Sequence, residues 1–440
     1  MLFHQKCNIL LGSVVGERKS TLIVFILVLA LVAGVQLVHL TYGNFFPDPG
    51  PDLPRIYIKN DGTIEPANAP IERTGNFYKL TDNIMLYTIE IQRNNIILNG
   101  SSYLIQGNAS WMGYDSGNNG ILITGRENIT LTNFDIVHCY AGIRVTNSSN
   151  ISITNNNFIN GTTMGIIIKQ SSSVIIENNK FTSIYGPHIH CTGKNNTITG
   201  NTLIDGAYGI ELEGSSNIIS NNRMEVLLPI ILDKADWNII SWNNITGPEP
   251  DLTHWPDREG NYTGNEGLAL YVNCSNNMIF GNNITGFANQ AIRTVFSCSN
   301  NIFYGNYMAN NEFAIAIQEG AINNTFYGNT FAADSCKIQI NEGVLGTLWN
   351  NGTIGNYWGD YNGTDNNGDG IGDTPYTIIG YKWDTTIDGF ASFVYSEDNY
   401  PLMEPFILPE FHSSTILIVL LFSTLVVLVI RNKVTKKGAK

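Results

Sequence analysis

The chain has 440 residues, 43 of them glycine, with 14% charged residues and a formal net charge of −13. Between Ser20 and Ile430 it carries 16 basic and 36 acidic residues. A balance of about −20 argues against nucleic acid as a partner, because binding a phosphate backbone depends on clustered cations.

The first element is an apolar run, Thr21 to Val38, preceded by Arg18 and Lys19. It is just long enough to cross a bilayer, so residues 1–43 are expected to be a signal peptide or an N-terminal anchor. Phe45 to Pro54 holds four prolines in ten residues and forms a stiff linker. With the strand-like stretch that follows, residues 44–92 make a linker and an N-terminal cap.

From Asn94 onward one phrase recurs: Asn128-Ile-Thr-Leu-Thr-Asn-Phe134, Asn150-Ile-Ser-Ile-Thr-Asn-Asn-Asn-Phe158, Ser173-Val-Ile-Ile-Glu-Asn-Asn-Lys-Phe181, and Asn196-Thr-Ile-Thr-Gly-Asn-Thr-Leu203. Further copies start at Asn217, Asn238, Asn277, Asn301 and Asn324. The steps between starts are 22, 23, 23, 21, 21, 39, 24 and 23 residues. That period fits one turn of a β-solenoid, and the apolar alternation within each copy has the period of strands. Asn and Gly supply the corners, and the asparagine side chains are expected to stack in ladders from turn to turn. The fold expected is all-β: a single-stranded parallel β-helix over residues 93–356 with caps at both ends and a transmembrane helix on each flank. The 39-residue step carries an insertion, 246–266, with His254, Trp255, Asp257 and Arg258; such insertions tend to gather on the binding face.

Residues 357–410 read as a C-terminal cap. Within it Asp365, Asn367, Asp369 and Asp373 place oxygen donors at alternate positions around Gly370, a pattern that suits a structural Ca2+. The twelfth position, where a bidentate Glu is expected, holds Tyr376. The last element, 411–440, contains the apolar run Ser413 to Ile430 followed by Arg431, Lys433, Lys436 and Lys437, a stop-transfer pattern that leaves the bulk of the chain outside the cell membrane. Asn-x-Ser/Thr sequons, for example at Asn99, Asn160 and Asn283, are glycosylation acceptors in an exported chain.

Candidate chemistry appears only when turns are stacked. Taking Gly142, Gly165, Gly186, Gly209 and Gly267 as equivalent, outward side chains fall two and four residues later. Lys169, His190, Glu213 and Asp233 then form one file, with His188 beside Glu211; these six are the candidate catalytic groups. Arg144, Tyr140, Tyr185, Tyr208, Tyr271 and Trp255 are candidates for substrate contact, since rings stack on sugar faces and charged groups bond hydroxyls. Paired carboxylates can perform acid/base hydrolysis. A metal set of His188, His190 and Cys191 is disfavoured, because alternation puts Cys191 on the other side of the strand from both histidines. Cys274 and Cys298 fall at equivalent positions in successive turns, close enough to stack as thiols or to form a disulfide.

The Asn-Asn-x-Ile phrases, with Asn356-Tyr-Trp-Gly-Asp-Tyr361, Asp369-Gly-Ile-Gly-Asp-Thr-Pro-Tyr376 and Tyr400-Pro-Leu-Met403, resemble the NosD-type right-handed parallel β-helix proteins. These belong to a wider group of carbohydrate-binding proteins and sugar hydrolases. The anchored, Asn-rich form is similar to archaeal cell-surface proteins. NosD is associated with copper delivery, but the Met/His/Cys cluster that copper requires is not visible in this sequence. Tyr185-Gly-Pro-His188 with Lys169 is faintly similar to uronan epimerase sites, without the Asp found between Tyr and His there. The resemblance implies an extracellular protein that binds or organises polysaccharide. A polysaccharide hydrolase, lyase or epimerase and a structural surface-layer or adhesion stalk are the alternatives.

Overall fold

The computed structural model describes residues 53–408, apart from 109–117, 249–264, 319, 333–335, 342, 343, 385, 388 and 407. Both terminal apolar runs and most of the insertion, including Trp255, therefore lie outside the described residues. Among the described residues no helix is long and apolar enough to cross a membrane.

The repeat folds as the sequence suggests. In one turn, Asn119–Thr124 lies on a first face, Glu127–Thr132 on a second and Asp135–Val137 on a third; Ala141–Thr146 then returns to the first face beside Asn119–Thr124, parallel and in register. About eleven such turns stack into one right-handed solenoid. Isoleucine dominates the inside because alternation sends every second side chain inward, and a β-branched residue suits the pleat. Ile121, Ile123, Ile129, Leu131 and Ile136 are all buried. Aromatic stacks continue the core upward, with Phe158 on Phe181 at 4.6 Å and Phe303 on Phe326 at 4.5 Å.

Parallel pairing starts at Arg55–Ile58, which pairs with Thr88–Ile91; between them Ile71–Thr74 forms a hairpin with Phe77–Leu80, and the latter joins the stack by pairing in parallel with Ile96–Asn99. At the other end the antiparallel hairpin Tyr376–Asp384 and Gly389–Asp398 closes the stack. The 39-residue step leaves the stack undisturbed: Ile239 pairs directly with Met278.

Two buried asparagine ladders hold the turns together. The longer runs through Asn156, Asn179, Asn201, Asn222, Asn243, Asn282, Asn306, Asn329 and Asn356, and each side-chain amide donates to the next oxygen at 2.9–3.1 Å. The shorter runs from Asn196 to Asn324. The same oxygens accept backbone N–H groups of the preceding turn, for example Asn222 N to Asn243 Oδ1 at 3.0 Å. Corner backbones that strands cannot satisfy are thus paired by side chains. Asp398 ends the longer ladder, accepting from Asn356 N at 2.7 Å and Trp358 Nε1 at 3.0 Å.

Asn243→Ala should cost about 3 kcal/mol, because it strands buried donors of Asn222 and the Ile219 carbonyl. Urea denaturation measures this, and an unchanged midpoint would remove the ladder from its structural role.

Candidate functional site

The first face carries the charged outward side chains, and the register shows which of them meet. His190 stands opposite Glu211, not Glu213, and its Nδ1 lies 2.9 Å from Glu211 Oε2. Lys169, Thr192, Glu213 and Asp233 form the neighbouring file. The single file of Lys169, His190, Glu213 and Asp233 is therefore corrected: His190 belongs one file over, in line with Arg144 and Ile167. The cause is a bulge between Ile184 and Pro187, where Tyr185 and Gly186 together oppose Ala207. Gly186 is not the counterpart of Gly165; His188 is.

His188 thus occupies a position that is glycine in the turns of Gly142, Gly165 and Gly209, and it does not stand beside Glu211. Its ring is buried edge-on against Phe181 at 5.8 Å. The file of Phe158 and Phe181 continues as the smaller Leu203, and a Cβ on Gly206 would lie 2.4 Å from His188 Cε1, so glycine there makes room for the imidazole. Nδ1 bonds the Tyr208 carbonyl at 2.6 Å, which fixes the proton on Nδ1 in the neutral ring. Burial lowers the pKa to about 4 despite that bond. His188 is a core group, buried on the same side as Cys191, while His190 points outward.

The tyrosines do not share one file. Tyr140 is buried against Ala141 and Ile167, Tyr185 sits in the bulge, and Tyr208 stands 41% exposed. Tyr271 is half-buried and belongs to a cluster that sequence reasoning missed. Arg293 lies over its ring at 5.8 Å, donates from Nη1 to Glu266 Oε1 at 2.5 Å and from Nη2 to Gln318 at 3.1 Å. Burial raises the Glu266 carboxyl pKa and pushes the Tyr271 hydroxyl up to about 12. The only sequence signal for this cluster was its place beside the insertion.

Beside the Lys169 file, at the corner between the first and second faces, runs a groove of about 610 Å3. Gln170, Ser172, Thr192, Lys194, Glu213 and Lys234 line it over four successive turns, and no apolar side chain does. Gly193 and Gly214 form its floor: a Cβ on Gly193 would sit 2.2 Å from the Ser171 carbonyl oxygen, and one on Gly214 2.1 Å from that of Gly193. Gly214 also has a φ of +116°, which side chains rarely adopt. Lys234 Nζ donates to Asp233 at 3.1 Å, and that bond raises the lysine pKa.

In the acidic loop of the cap, Asp365 accepts backbone N–H groups of Gly368, Asp369 and Gly370, and Asp373 accepts from Asn366. Asn367 donates to Asp369 at 2.9 Å. Among the described residues no group of three His, Cys, Asp or Glu side chains is placed to share a metal ion.

Residues 88–226 match the family model of the right-handed β-helix region, and residues 192–363 match that of the periplasmic copper-binding protein NosD. Together with the parallel β-solenoid, the two matches support a NosD-type β-helix repeat protein. Copper does not fit the donors among the described residues: the Cys139 and Cys191 thiols are sealed in the core, where burial pushes their pKa up to about 12, and His188 is inward-facing. Similar solved structures include DFA-IIIase from Arthrobacter chlorophenolicus A6 in complex with GF2 (16% identity, TM-score 0.41, 55% of this chain and 66% of that one). Others are an alginate lyase from Paenibacillus sp. str. FPU-7 (16%, 0.36, 53% and 92%) and the periplasmic alginate epimerase AlgG (13%, 0.41, 67% and 82%). No curated protein matches the sequence.

Because the unfolded chain binds the His188 proton near pH 6.5 and the folded chain only near 4, stability should fall as pH drops through that window, by roughly 3 kcal/mol in total. Denaturation midpoints measured between pH 7 and 4 should show this slope, flattened in His188→Gln. An equal slope in the variant would assign the effect to other groups.

Proposed function

We propose that this NosD-type protein is a membrane-anchored extracellular β-helix that binds cell-surface polysaccharide along the groove between its first and second faces. The observation that carries the reading is the lining: amide, hydroxyl, carboxylate and ammonium groups repeated over four turns, on a glycine floor that lets a chain approach the backbone. Such a surface offers donors and acceptors to a polyhydroxylated polymer and little to an apolar ligand. Exposed Tyr208 supplies a ring on the far side of the first face. The family's periplasmic description agrees with a chain whose bulk lies outside the cytoplasm, and the two terminal apolar runs supply the anchor.

Affinity electrophoresis against neutral and anionic polysaccharides tests the reading. Lys194→Ala with Glu213→Gln should weaken binding about tenfold, the equivalent of one or two charge-assisted hydrogen bonds. Retention by no polysaccharide would overturn the reading and favour the surface-layer or adhesion stalk.

A second reading, turnover of the polymer as a hydrolase, lyase or epimerase, is favoured by one contact. The His190 and Glu211 pair places an imidazole and a carboxylate within proton-transfer distance on the same face. Product analysis after incubation with polysaccharide tests it, and turnover that survives both His190→Ala and Glu211→Gln would exclude this pair.

Calcium at the cap is a further part of the proposal. Asp365, Asn367, Asp369 and Asp373 would hold it once the loop draws their oxygens onto a common ion, since as they stand the carboxylates do not converge. Its role would be to hold the loop in its folded form. Millimolar Ca2+ should raise the melting temperature and chelator should lower it; an unchanged transition overturns the site.

A further inference from the structure

The second face differs from the first over its last turns. Six consecutive strands, Thr197–Thr199, Ile218–Ser220, Ile239–Ser241, Met278–Phe280, Ile302–Tyr304 and Thr325–Tyr327, contain no charged residue. On the same turns the first face carries Glu211, Glu213, Asp233 and Arg293, while the third carries Arg223 and Glu225 on one strand and no charge on the strands that follow it. One outward file of the second face reads Ile218, Ile239, Met278, Ile302, Thr325 and Leu348 in continuous register. The file beside it holds Phe280, Tyr304 and Tyr327, stacked at 4.8 and 5.5 Å, with Trp242 edge-on to Phe280. Stacked on one another, these rings turn their edges outward, which suits an apolar medium better than a sugar face.

Two tryptophans mark the same surface. Trp237 and Trp242 have φ of 59° and 58° at corners where neighbouring turns use Asn, Ser or Gly. A bulky residue in that conformation is strained, and strain of this kind persists where a side chain has a task. Trp237 is 64% exposed.

The course of the chain selects the occupant. After Met403 it runs back along the glycine corners at the edge of this face. A Cβ on Gly328 would meet the Phe406 ring at 3.1 Å, one on Gly305 would meet Leu408 at 2.4 Å, and one on Gly281 would meet the Trp242 ring at 3.1 Å. Phe406, Leu408 and Trp242 thus cover three successive corners. The apolar run of the sequence begins five residues after Leu408, and basic residues follow it.

We propose that the solenoid lies on its side against the bilayer, with the second face from Ile218 to Leu348 in the interfacial layer and Trp237 and Trp242 at headgroup depth. This rests on the reading of the terminal run as an anchor. Tryptophan and tyrosine favour that layer, and an uncharged face lets an acidic protein approach an anionic surface without desolvating carboxylates. The groove runs along the corner shared by the first and second faces, so it lies at the rim of this contact.

The full-length chain, with Cys7→Ser and Cys336→Ser, is reconstituted in phosphatidylcholine vesicles and labelled with an environment-sensitive dye at Met278→Cys or, on the third face, at Arg223→Cys. Ile239→Cys serves as a second site on the proposed contact face. Dyes at 278 and 239 should be quenched by nitroxide-labelled lipid and be several-fold less open to aqueous iodide than the dye at 223. Equal iodide access at all three sites, in protein that floats with the vesicles, overturns the orientation while leaving the anchor. Shielding from iodide without quenching by nitroxide lipid shows a protein partner or a second copy on this face, and also overturns it. Failure to float with vesicles removes the anchor reading and the orientation with it.

Discussion

The structure depends on buried amide-to-amide hydrogen bonds that keep successive turns in register. Parallel strands alone would allow slippage, because every turn presents a similar apolar interior. A side-chain amide tolerates no such freedom: Asn243 must place its oxygen under Asn222 and its nitrogen under the oxygen of Asn282, within 3.0 Å in each case. A slip of one residue would bury unpaired polar groups along two ladders at once, at a cost far above that of any single contact. Core, corners and outer files inherit their alignment from this constraint.

That is why the architecture was legible from sequence and the candidate site only in part. The asparagine phrase announces period, strand character and corner chemistry together. The outward files require a phase, and the phase was taken from glycine. Gly186 is conspicuous in sequence but sits in a bulge, whereas the ladder positions Asn156 and Asn179 count nine residues forward to Gly165 and His188. Counting back six residues from the shorter ladder's Asn196 and Asn217, past which no bulge intervenes, would have placed His190 with Glu211. Glycine is an unreliable ruler because a bulge uses the same residue as a regular corner.

The cluster of Glu266, Arg293 and Tyr271 was illegible for a different reason. Its members come from the two successive turns that follow the insertion, and nothing local in sequence marks a glutamate as buried. Ala269 and Ala316, above and below Arg293 in its file, leave the space that the guanidinium fills. By contrast, the uncharged stretch of the second face could have been noticed by reading the strands as columns, since its six strands lack charge as written.

Asp398 shows how such a stack is brought to a stop. Every asparagine in the long ladder both gives and receives, so a terminal amide would offer hydrogens to whatever came next, including another copy's first turn. A carboxylate receives from Asn356, Trp358 and Tyr400 and has no proton to pass on. Ending the column with a pure acceptor makes the assembly finite: it withholds the template on which a neighbouring molecule could continue the pile.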